Sequence, residues 1–316
     1  MSKIARWWKI LLYYTWFIVV WGAFVRASGS GDGCGKNWPT CNGDLIPKNS
    51  SIETIIEFIH RATSGLYGIF VFALVLVTIF YLQKFKTEER TKFNLNPEFK
   101  LKRLFYALPA LVLTLTILEA LIGAKLVLSG LVGTNESWSR AIIMIVHLLN
   151  TFVLVSSIVG CIYLYSSEKL FIDSDKKLKL NINSTLYILS TLGLILVAGL
   201  GALTALGDTL YPAESLHHGL TQDFSITSPW ILRLRVLHPL LAAVTVLLIT
   251  HTFYDEFKKN FTVKIYLILS YLTLAIGLIN LVLLAPIYMQ IIHLLSAQML
   301  WTLHSYLGFK IFVSKD

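Results

Sequence analysis

Long apolar runs, separated by short polar segments, dominate the chain. Eight of these runs reach about 20 residues, the length that a helix needs to cross the roughly 30 Å hydrocarbon core of a bilayer. They lie near residues 9–27, 54–82, 104–127, 138–165, 185–205, 230–253, 263–285 and 288–312. The pattern predicts an all-α integral membrane protein with eight transmembrane helices, and the even number of spans places both termini on one side of the membrane.

The composition agrees with this pattern. Of the 316 residues, 55% are hydrophobic and only 14% are charged, and the mean hydropathy is +0.67. A water-soluble domain of this size needs more polar and charged side chains than that to cover its surface. The composition therefore argues against a water-soluble protein of any functional class.

Lysine and arginine residues indicate which side the termini face, because short cytoplasmic loops retain them and exported loops carry few. They concentrate in the N-terminal segment and in the loops after the second, fourth and sixth spans: Lys3, Arg6, Lys9, Lys84, Lys86, Arg90, Lys92, Lys100, Lys102, Arg103, Lys169, Lys176, Lys177, Lys179, Lys258, Lys259 and Lys264. Both termini are therefore expected in the cytoplasm. This topology signal and the attraction to anionic lipid headgroups account for most of the +9 net charge, so no nucleic-acid partner is expected.

The N-terminus shows neither a small-residue cleavage site after its apolar run nor an Arg/Ser-rich presequence. A bacterial inner membrane is the simplest location. Cys34 and Cys41 lie in the first exported loop, an oxidising compartment in which a disulfide can persist. Cys161 lies in the inner part of the fourth span and is expected to be a small apolar packing residue.

The spans form two sets of four. Residues 1–166 and 185–316 each hold four spans, and a linker rich in Lys, Asp and Ser, residues 167–184, separates them. The first span of each set ends similarly, with GAFVRASGSGDG at 22–33 and GALTALGDTL at 201–210. This predicts two pseudo-symmetric four-helix bundles, related as a parallel repeat about an axis along the membrane normal. The alternative is a chance likeness between apolar helices.

Four histidines lie inside predicted spans: His60, His147, His238 and His293. Each is roughly 9–14 Å from the outer end of its helix, at the usual rise per residue. Ionisable groups are costly inside a bilayer and usually mark a functional site. A single such histidine is more often bonded to a neighbouring helix, but four at one depth favour haem binding near the outer face. Two imidazoles from facing helices can bind one haem iron from both sides.

Haem propionates need cationic partners, and six cations lie at the outer interface: Arg26, Arg61, Lys125, Arg140, Arg233 and Arg235. Arg26, Arg61 and Arg235 are the propionate candidates, and the proximity of Arg61 and Arg235 to histidines favours that role for these two. Each of these cations can instead extend its charge to the lipid headgroups.

A carboxylate distinguishes the two histidine helices. Glu57 and Arg235 both stand three residues before their histidines, and residues three apart share a helix face. Glu57 can act as a proton acceptor, a cation stabiliser or a nucleophile in an oxidation, or it can simply complement the helix dipole. Glu119 and Asn280, in the third and seventh spans, are expected at matching places, where they either bridge helices or line the haem edge.

Several segments of the chain resemble one family closely. The run GAFVRASGSGDGCGKNWPTCNG at 22–43, followed by IEFIHRATSGL at 56–66, is similar to haem A synthases, and so are HLLNTFVL at 147–154 and HLLSA at 293–297. The resemblance covers essentially the whole chain. It implies oxidation of the C8 methyl of haem O to the formyl of haem A, by two hydroxylations and dehydration of the gem-diol, for use in terminal oxidases.

The resemblance also implies roles for particular residues. His60 and His147, with Glu57, match the haem O substrate site. His238 and His293 match the ligands of a haem b cofactor that transfers electrons. Cys34 and Cys41 match the exported cysteine pair of one subgroup, in which a disulfide or thiol pair serves reductant handling or loop stability. The chain departs from some relatives because residues 206–229 hold no second cysteine pair, and Glu119 and Asn280 stand where glutamine is expected.

Two other functions remain open at this stage. One is a membrane haem b electron carrier that exchanges electrons with quinone, and the other is a transporter without catalysis. Glu57 discriminates against the carrier, because a pure carrier has no need of a carboxylate at only one of two equivalent sites. The expected partners are haem O, membrane lipid and an unidentified redox partner. A complex with the farnesyl transferase that makes haem O (haem O synthase) and homo-oligomerisation are left open.

Overall fold

The structure is a computed structural model that describes residues 3–48, 50–90, 99–166, 180 and 182–313. Within these ranges the regular structure is helical. The α-helices are α1 (Lys3–Ala27), α2 (Ile52–Arg90), α3 (Phe99–Leu128), α4 (Trp138–Ser166), α5 (Ser184–Leu210), α6 (Leu216–Phe224), α7 (Trp230–Arg235), α8 (Leu237–Phe253), α9 (Phe261–Val282) and α10 (Ile287–Phe312). The predicted all-α class is thereby confirmed. Most of the predicted linker, residues 167–179 and 181, lies outside the described residues.

Seven helical segments of the described chain are long and apolar enough to cross a membrane: Lys3–Ala27, Ile52–Lys84, Leu104–Leu128, Trp138–Ser166, Ser184–Leu210, Trp230–Glu256 and Phe261–Val282. These segments indicate a multi-pass membrane protein. The eighth predicted span falls on α10, a helix of 26 residues. Its polar and charged residues lower its hydropathy: Gln290, His293, Gln298, His304 and Lys310. The eighth span and the side on which the termini lie therefore stay predictions.

The sixth predicted span is not one continuous helix. It consists of α7 and α8, which a turn at Val236 separates, and a short 3₁₀ turn, Tyr254–Glu256, follows it. Pro239 lies in the first turn of α8 and has no backbone N–H, so it cannot bond to the carbonyl of Arg235 one turn earlier. The break therefore falls directly before His238.

Two of the three apolar clusters among the described residues each lie largely within one set of helices. The first contains residues of α1, α2, α3 and α4, among them the fully buried Trp8, Val112 and Ile158. The second contains residues of α5, α8, α9 and α10, among them Phe253 and Tyr266. Each cluster unites consecutive helices, because short connections keep neighbours in sequence adjacent in space.

Helix α4 also connects the two sets of helices, since it contacts α5 and α10 as well as α1 and α3. The Trp301 ring of α10 stacks on Phe152 of α4, with ring centroids 4.4 Å apart. Its indole Nε1 also donates to the backbone carbonyl of Phe152 at 2.8 Å. A directed donor inside an apolar contact fixes the register of α10 against α4.

Candidate functional site

Each of the four span histidines lies against a glycine of the preceding long helix. A Cβ added to that glycine would approach the Cε1 atom of the histidine ring. The four pairs, with this distance, are Gly22 and His60 at 3.1 Å, Gly123 and His147 at 4.0 Å, Gly201 and His238 at 2.9 Å, and Gly277 and His293 at 2.8 Å. The same contact therefore occurs four times, between α1 and α2, α3 and α4, α5 and α8, and α9 and α10.

The absent side chains let each imidazole lie directly on a helix backbone. At Gly201 and Gly277 the added Cβ would come closer than 3.0 Å, so any other residue would displace the ring. Gly22 and Gly201 open the two similar segments GAFV and GALT, and the sequence likeness between them thus corresponds to equivalent geometry. Gly123 and Gly277 gave no comparable signal in the sequence analysis.

The ring nitrogens of the four histidines differ in their hydrogen bonds. Nδ1 of His238 lies 3.0 Å from the carbonyl of Val197, one turn before Gly201, whereas Nδ1 of His60, His147 and His293 is buried without a hydrogen bond among the described residues. Within the part of the chain that the structure describes, none of the four Nε2 atoms makes a hydrogen bond. Each histidine thus keeps one nitrogen for a ligand outside the protein, which is the arrangement that metal-binding histidines adopt.

The donor geometry fits a haem iron in the C-terminal set. The ring centroids of His238 and His293 are 6.2 Å apart, with an interplanar angle of 79°. Two imidazoles that bind one iron from opposite faces have centroids about 6 Å apart, since each metal–nitrogen bond is about 2 Å and each ring adds about 1 Å. His60 and His147 likewise lie within electrostatic reach of each other.

Glu57 lies on α2, one turn before His60, and only 3% of it is exposed. Its Oε2 accepts the backbone N–H of Cys34 at 2.7 Å. Its Oε1 accepts from Nη2 of Arg61 at 2.5 Å and from Nε at 3.1 Å. The carboxylate therefore attaches the loop between α1 and α2 to α2, close to the histidine.

The same loop is closed by a disulfide between Cys34 and Cys41. Nη1 of Arg61 donates to the carbonyls of Asn37 and Thr40, at 2.5 and 2.6 Å, and so binds the interior of the disulfide loop. The predicted pairing of the two cysteines is thus present. In the structure all three guanidinium nitrogens of Arg61 contact protein groups, and the propionate role of this residue stays a prediction.

Arg235 takes the place of Glu57 in the C-terminal set. Its Nη1 donates to Asp208 at the end of α5 at 2.7 Å. Its Nε donates to Asp223 of α6 at 2.8 Å, and its Nη2 reaches the same oxygen at 2.7 Å. Arg235 therefore joins the end of α5 and α6 to α7, three residues before His238. Its propionate role also stays a prediction.

Arg26 links the two sets of helices. From the end of α1 its Nη1 donates to the carbonyl of Ala205 and the hydroxyl of Thr209, both at 2.6 Å, and its Nη2 donates to Gln290 of α10 at 2.8 Å. By contrast, Lys125 and Arg233 are exposed and make no hydrogen bond or ion pair with any described residue. Among the outer cations, these two are the ones free to bind an anionic group.

Glu119 of α3 contacts His147 directly. Its Oε1 lies 3.2 Å from Nδ1 of His147, and it accepts the hydroxyl of Thr151 at 2.5 Å. Its Oε2 accepts the amide nitrogen of Asn150. The residue therefore both bridges α3 to α4, as expected, and touches an imidazole of the site.

Comparison with known proteins places this arrangement in a family. Residues 5–305 match the sequence model of COX15-CtaA, which is described as a cytochrome oxidase assembly protein. The chain belongs to the COX15-CtaA family. The haem A synthase family predicted from the sequence is thereby confirmed, because heme A synthases are among the chain's relatives.

Individual relatives of this COX15-CtaA protein carry two different names. A Protoheme IX farnesyltransferase of Thermus thermophilus is 36% identical over 317 residues, a match that covers 95% of the chain and 48% of the relative. The chain thus spans about half the length of that protein. The Heme A synthase of Bacillus cereus strain AH187 is 46% identical over 79 residues, 25% of each chain.

Two polar residues of this COX15-CtaA chain lie elsewhere than the sequence analysis expected. Glu119 stands four residues before Gly123, and the residue four before Gly277 is Thr273, whose main chain lies beside the His293 ring. Asn280 stands three residues after Gly277, and its Oδ1 is buried without a hydrogen bond among the described residues. Glu119 and Asn280 are therefore not equivalent, because the glycine contacts set the register.

His304 packs inside the helical bundle of this protein. Its Nδ1 bonds to the hydroxyl of Tyr266 and its Nε2 to that of Thr191, both at 2.8 Å. Its ring stacks on Tyr187, with centroids 4.5 Å apart. Both nitrogens thus make hydrogen bonds inside the bundle, and neither is free for a metal.

Proposed function

We propose that this chain is a haem A synthase, an oxidoreductase that converts the C8 methyl of haem O to a formyl group. Two hydroxylations, each of which inserts one oxygen atom from an external oxygen-atom donor into a C–H bond of the methyl group, give a gem-diol, and loss of water from the diol leaves the aldehyde. One observation carries the proposal: four glycine-backed histidines, each with Nε2 free of hydrogen bonds to described residues, occur in a chain of the COX15-CtaA family. Two such pairs match the need for one substrate haem and one resident haem.

The two pairs take different haems in this proposal. His60 and His147 hold the substrate haem O, next to Glu57. His238 and His293 hold a haem b cofactor. When bound, haem b supplies one-electron transfer. The 6.2 Å separation of the His238 and His293 rings supports bis-imidazole ligation at the second site.

Glu57 is the proposed catalytic group of the substrate site. Its carboxylate lies one helical turn from His60, and Arg61 and the Cys34 N–H hold it in place. A fixed carboxylate at the edge of a haem can accept a proton as the methyl group is oxidised. The neighbouring disulfide brings Cys34 and Cys41 to the same place, where a thiol–disulfide pair can exchange electrons with an external reductant.

The proposed topology has eight spans, with α10 as the eighth, and both termini in the cytoplasm of a bacterial inner membrane. The proposed organisation has an N-terminal half, residues 1–166, a linker, residues 167–184, and a C-terminal half, residues 185–316. The repeated glycine–histidine contact supports two equivalent halves, because it joins corresponding helices in each.

The proposed partners are haem O, an unidentified redox partner and the enzyme that makes haem O. The Thermus relative supports the enzyme that makes haem O as a partner, since that relative is named a farnesyltransferase and this chain matches only 48% of it. A farnesyl transferase acting on protohaem supplies a haem bearing a long apolar tail. Such a substrate favours transfer within the membrane between neighbouring proteins.

Pigment analysis tests the proposal. The protein is purified from cells that make haem O, its haems are extracted, and the extract is separated by chromatography. We expect haem A or hydroxylated haem O together with haem b, and a low-spin bis-imidazole spectrum before extraction. Haem b alone would contradict synthase activity and would favour the alternative, an electron carrier that exchanges electrons with quinone.

A further inference from the structure

One of the four histidines has a carboxylate beside its Nδ1. His238 faces the carbonyl of Val197, and His293 lies beside the main chain of Thr273. Nδ1 of His60, His147 and His293 is buried without a hydrogen bond among the described residues. Glu119 is therefore a charged neighbour of His147, with Oε1 3.2 Å from Nδ1. At the equivalent positions, the other three histidines have a main-chain neighbour or none.

The carboxylate of Glu119 is surrounded by donors. The Thr151 hydroxyl donates to Oε1 at 2.5 Å, and the Asn150 amide donates to Oε2. The same amide donates to the carbonyl of Leu115 at 3.0 Å, so it cannot rotate without losing a bond. Because both oxygens accept hydrogen bonds from fixed donors, the carboxylate is held with Oε1 3.2 Å from Nδ1 of His147, at ion-pair distance but without a hydrogen bond between them.

A negative charge beside Nδ1 favours the tautomer that carries its proton on Nδ1, which leaves the lone pair of Nε2 for a metal. A carboxylate in this position also raises the basicity of a histidine ligand and orients its ring, and such partners alter metal sites by about 10- to 100-fold when removed. A main-chain carbonyl carries no net charge and has a weaker effect.

We propose that Glu119 is a positioning residue of the substrate site, whose negative charge beside Nδ1 of His147 lowers the reduction potential of the haem that His147 binds. The inference rests on the proposed function, because it takes His147 as an iron ligand. It makes the two haem sites unequal through a residue that touches no haem iron. The negative charge favours the ferric state in the N-terminal set, whereas His238 and His293 lack such a partner.

Glu119→Gln tests the inference with the shape of the side chain retained. The variant and the wild-type protein are purified from cells that make haem O and titrated potentiometrically, and the ferric forms are compared by electron paramagnetic resonance. We expect retained haem, altered g-values and a reduction equilibrium shifted at least tenfold toward the ferrous state. That shift is 59 mV or more for a one-electron couple. Unchanged g-values and potential would overturn the inference.

Thr151→Val is the matched second variant. It removes a donor that competes with His147 for Oε1, yet it keeps the carboxylate and the side-chain volume. We expect a smaller shift of the potential, in the opposite direction. A rise equal to that of Glu119→Gln would show that packing around α4, and not the charge of Glu119, sets the potential, and would overturn the inference.

His147→Ala separates this inference from the proposed function. We expect the variant to lose the redox component that Glu119→Gln shifts, which identifies it as the haem of the N-terminal set. Full retention of both haems would remove His147 as a ligand and with it the proposed site. Loss of that haem in His147→Ala, combined with no shift in Glu119→Gln, would overturn only the role of Glu119.

Discussion

The loop between α1 and α2 and the segment between α5 and α7 are anchored by residues of opposite charge at equivalent positions. Glu57 and Arg235 each stand three residues before a histidine, and each binds the loop that precedes its helix. The difference lies in what is bound. Glu57 joins a neighbouring arginine and a disulfide loop, whereas Arg235 neutralises two aspartates, Asp208 and Asp223.

This comparison changes the meaning of the charge difference. From the sequence, a carboxylate at one site and a guanidinium at the other indicate chemistry in one half and electron transfer in the other. In the structure both groups also serve as loop anchors. The functional asymmetry therefore needs tests that separate anchoring from chemistry, and the surroundings of each anchor provide them.

Replacement of Arg235 has the largest expected effect. Arg235→Gln leaves Asp208 and Asp223 without their cation, and breaking a buried ion pair in this way costs about 3–5 kcal/mol. We expect a strongly lowered midpoint of thermal unfolding in detergent, with loss of the haem bound by His238. Arg235→Lys keeps the charge and is the control. A Gln variant as stable as the wild type would contradict the anchoring role.

Glu57→Gln is expected to abolish oxidation while the protein keeps its haems. Loss of a general base typically reduces a rate by about 10²- to 10⁴-fold. The measurement is the yield of haem A and hydroxylated haem O in extracted pigment. Product at the wild-type level would refute the catalytic assignment.

Arg61→Gln is the matched control for that experiment. It breaks the same ion pair but leaves the Glu57 carboxylate and its bond from the Cys34 N–H. We expect a partial loss of product, smaller than that of Glu57→Gln. Equal losses in the two variants would assign Glu57 to loop anchoring alone.

The glycines offer a graded test of the four histidine contacts. Gly277→Ala would bring a Cβ within 2.8 Å of His293, whereas Gly123→Ala leaves 4.0 Å to His147. Overpacking costs about 1–3 kcal/mol, and both variants share the gain of about 1 kcal/mol in helix propensity. We therefore expect Gly277→Ala to lose haem during purification and Gly123→Ala to retain it. Equal retention would show that the rings are not held by these contacts.

Replacement of both Cys34 and Cys41 by serine has the smallest expected effect. The loop keeps its bonds to Glu57 and Arg61, because these use backbone atoms of Cys34, Asn37 and Thr40. We expect lower product yield with unchanged haem content, measured on the same extracts. An unchanged yield would show that the disulfide serves only to stabilise the loop.

The apolar runs and the four histidines could be predicted from the sequence because each has a strong physical cause. Burial of the backbone in lipid requires long apolar helices, and histidine is rare enough in them for four at one depth to be informative. The helix break before His238 could also be predicted, because Pro239 has no N–H to bond to the carbonyl of Arg235, four residues earlier.

Other parts of the site depend on contacts that a single sequence does not show. Gly123 and Gly277 follow no pattern that distinguishes them from other glycines in apolar helices. Counting from estimated helix ends paired Glu119 with Asn280, whereas the glycine contacts pair it with Thr273. The loop contacts of Arg61 could not be predicted either, because the fold of residues 34–41, which supplies its carbonyl partners, cannot be derived from hydropathy.

The central claim is that the two histidine pairs are alike in geometry and hold different haems. The most direct test compares pigments extracted from two double variants, His60→Ala with His147→Ala and His238→Ala with His293→Ala, both made in cells that produce haem O. The account predicts that the first variant keeps haem b and lacks haem O and haem A, and that the second lacks haem b. Loss of the same pigment in both variants would contradict it.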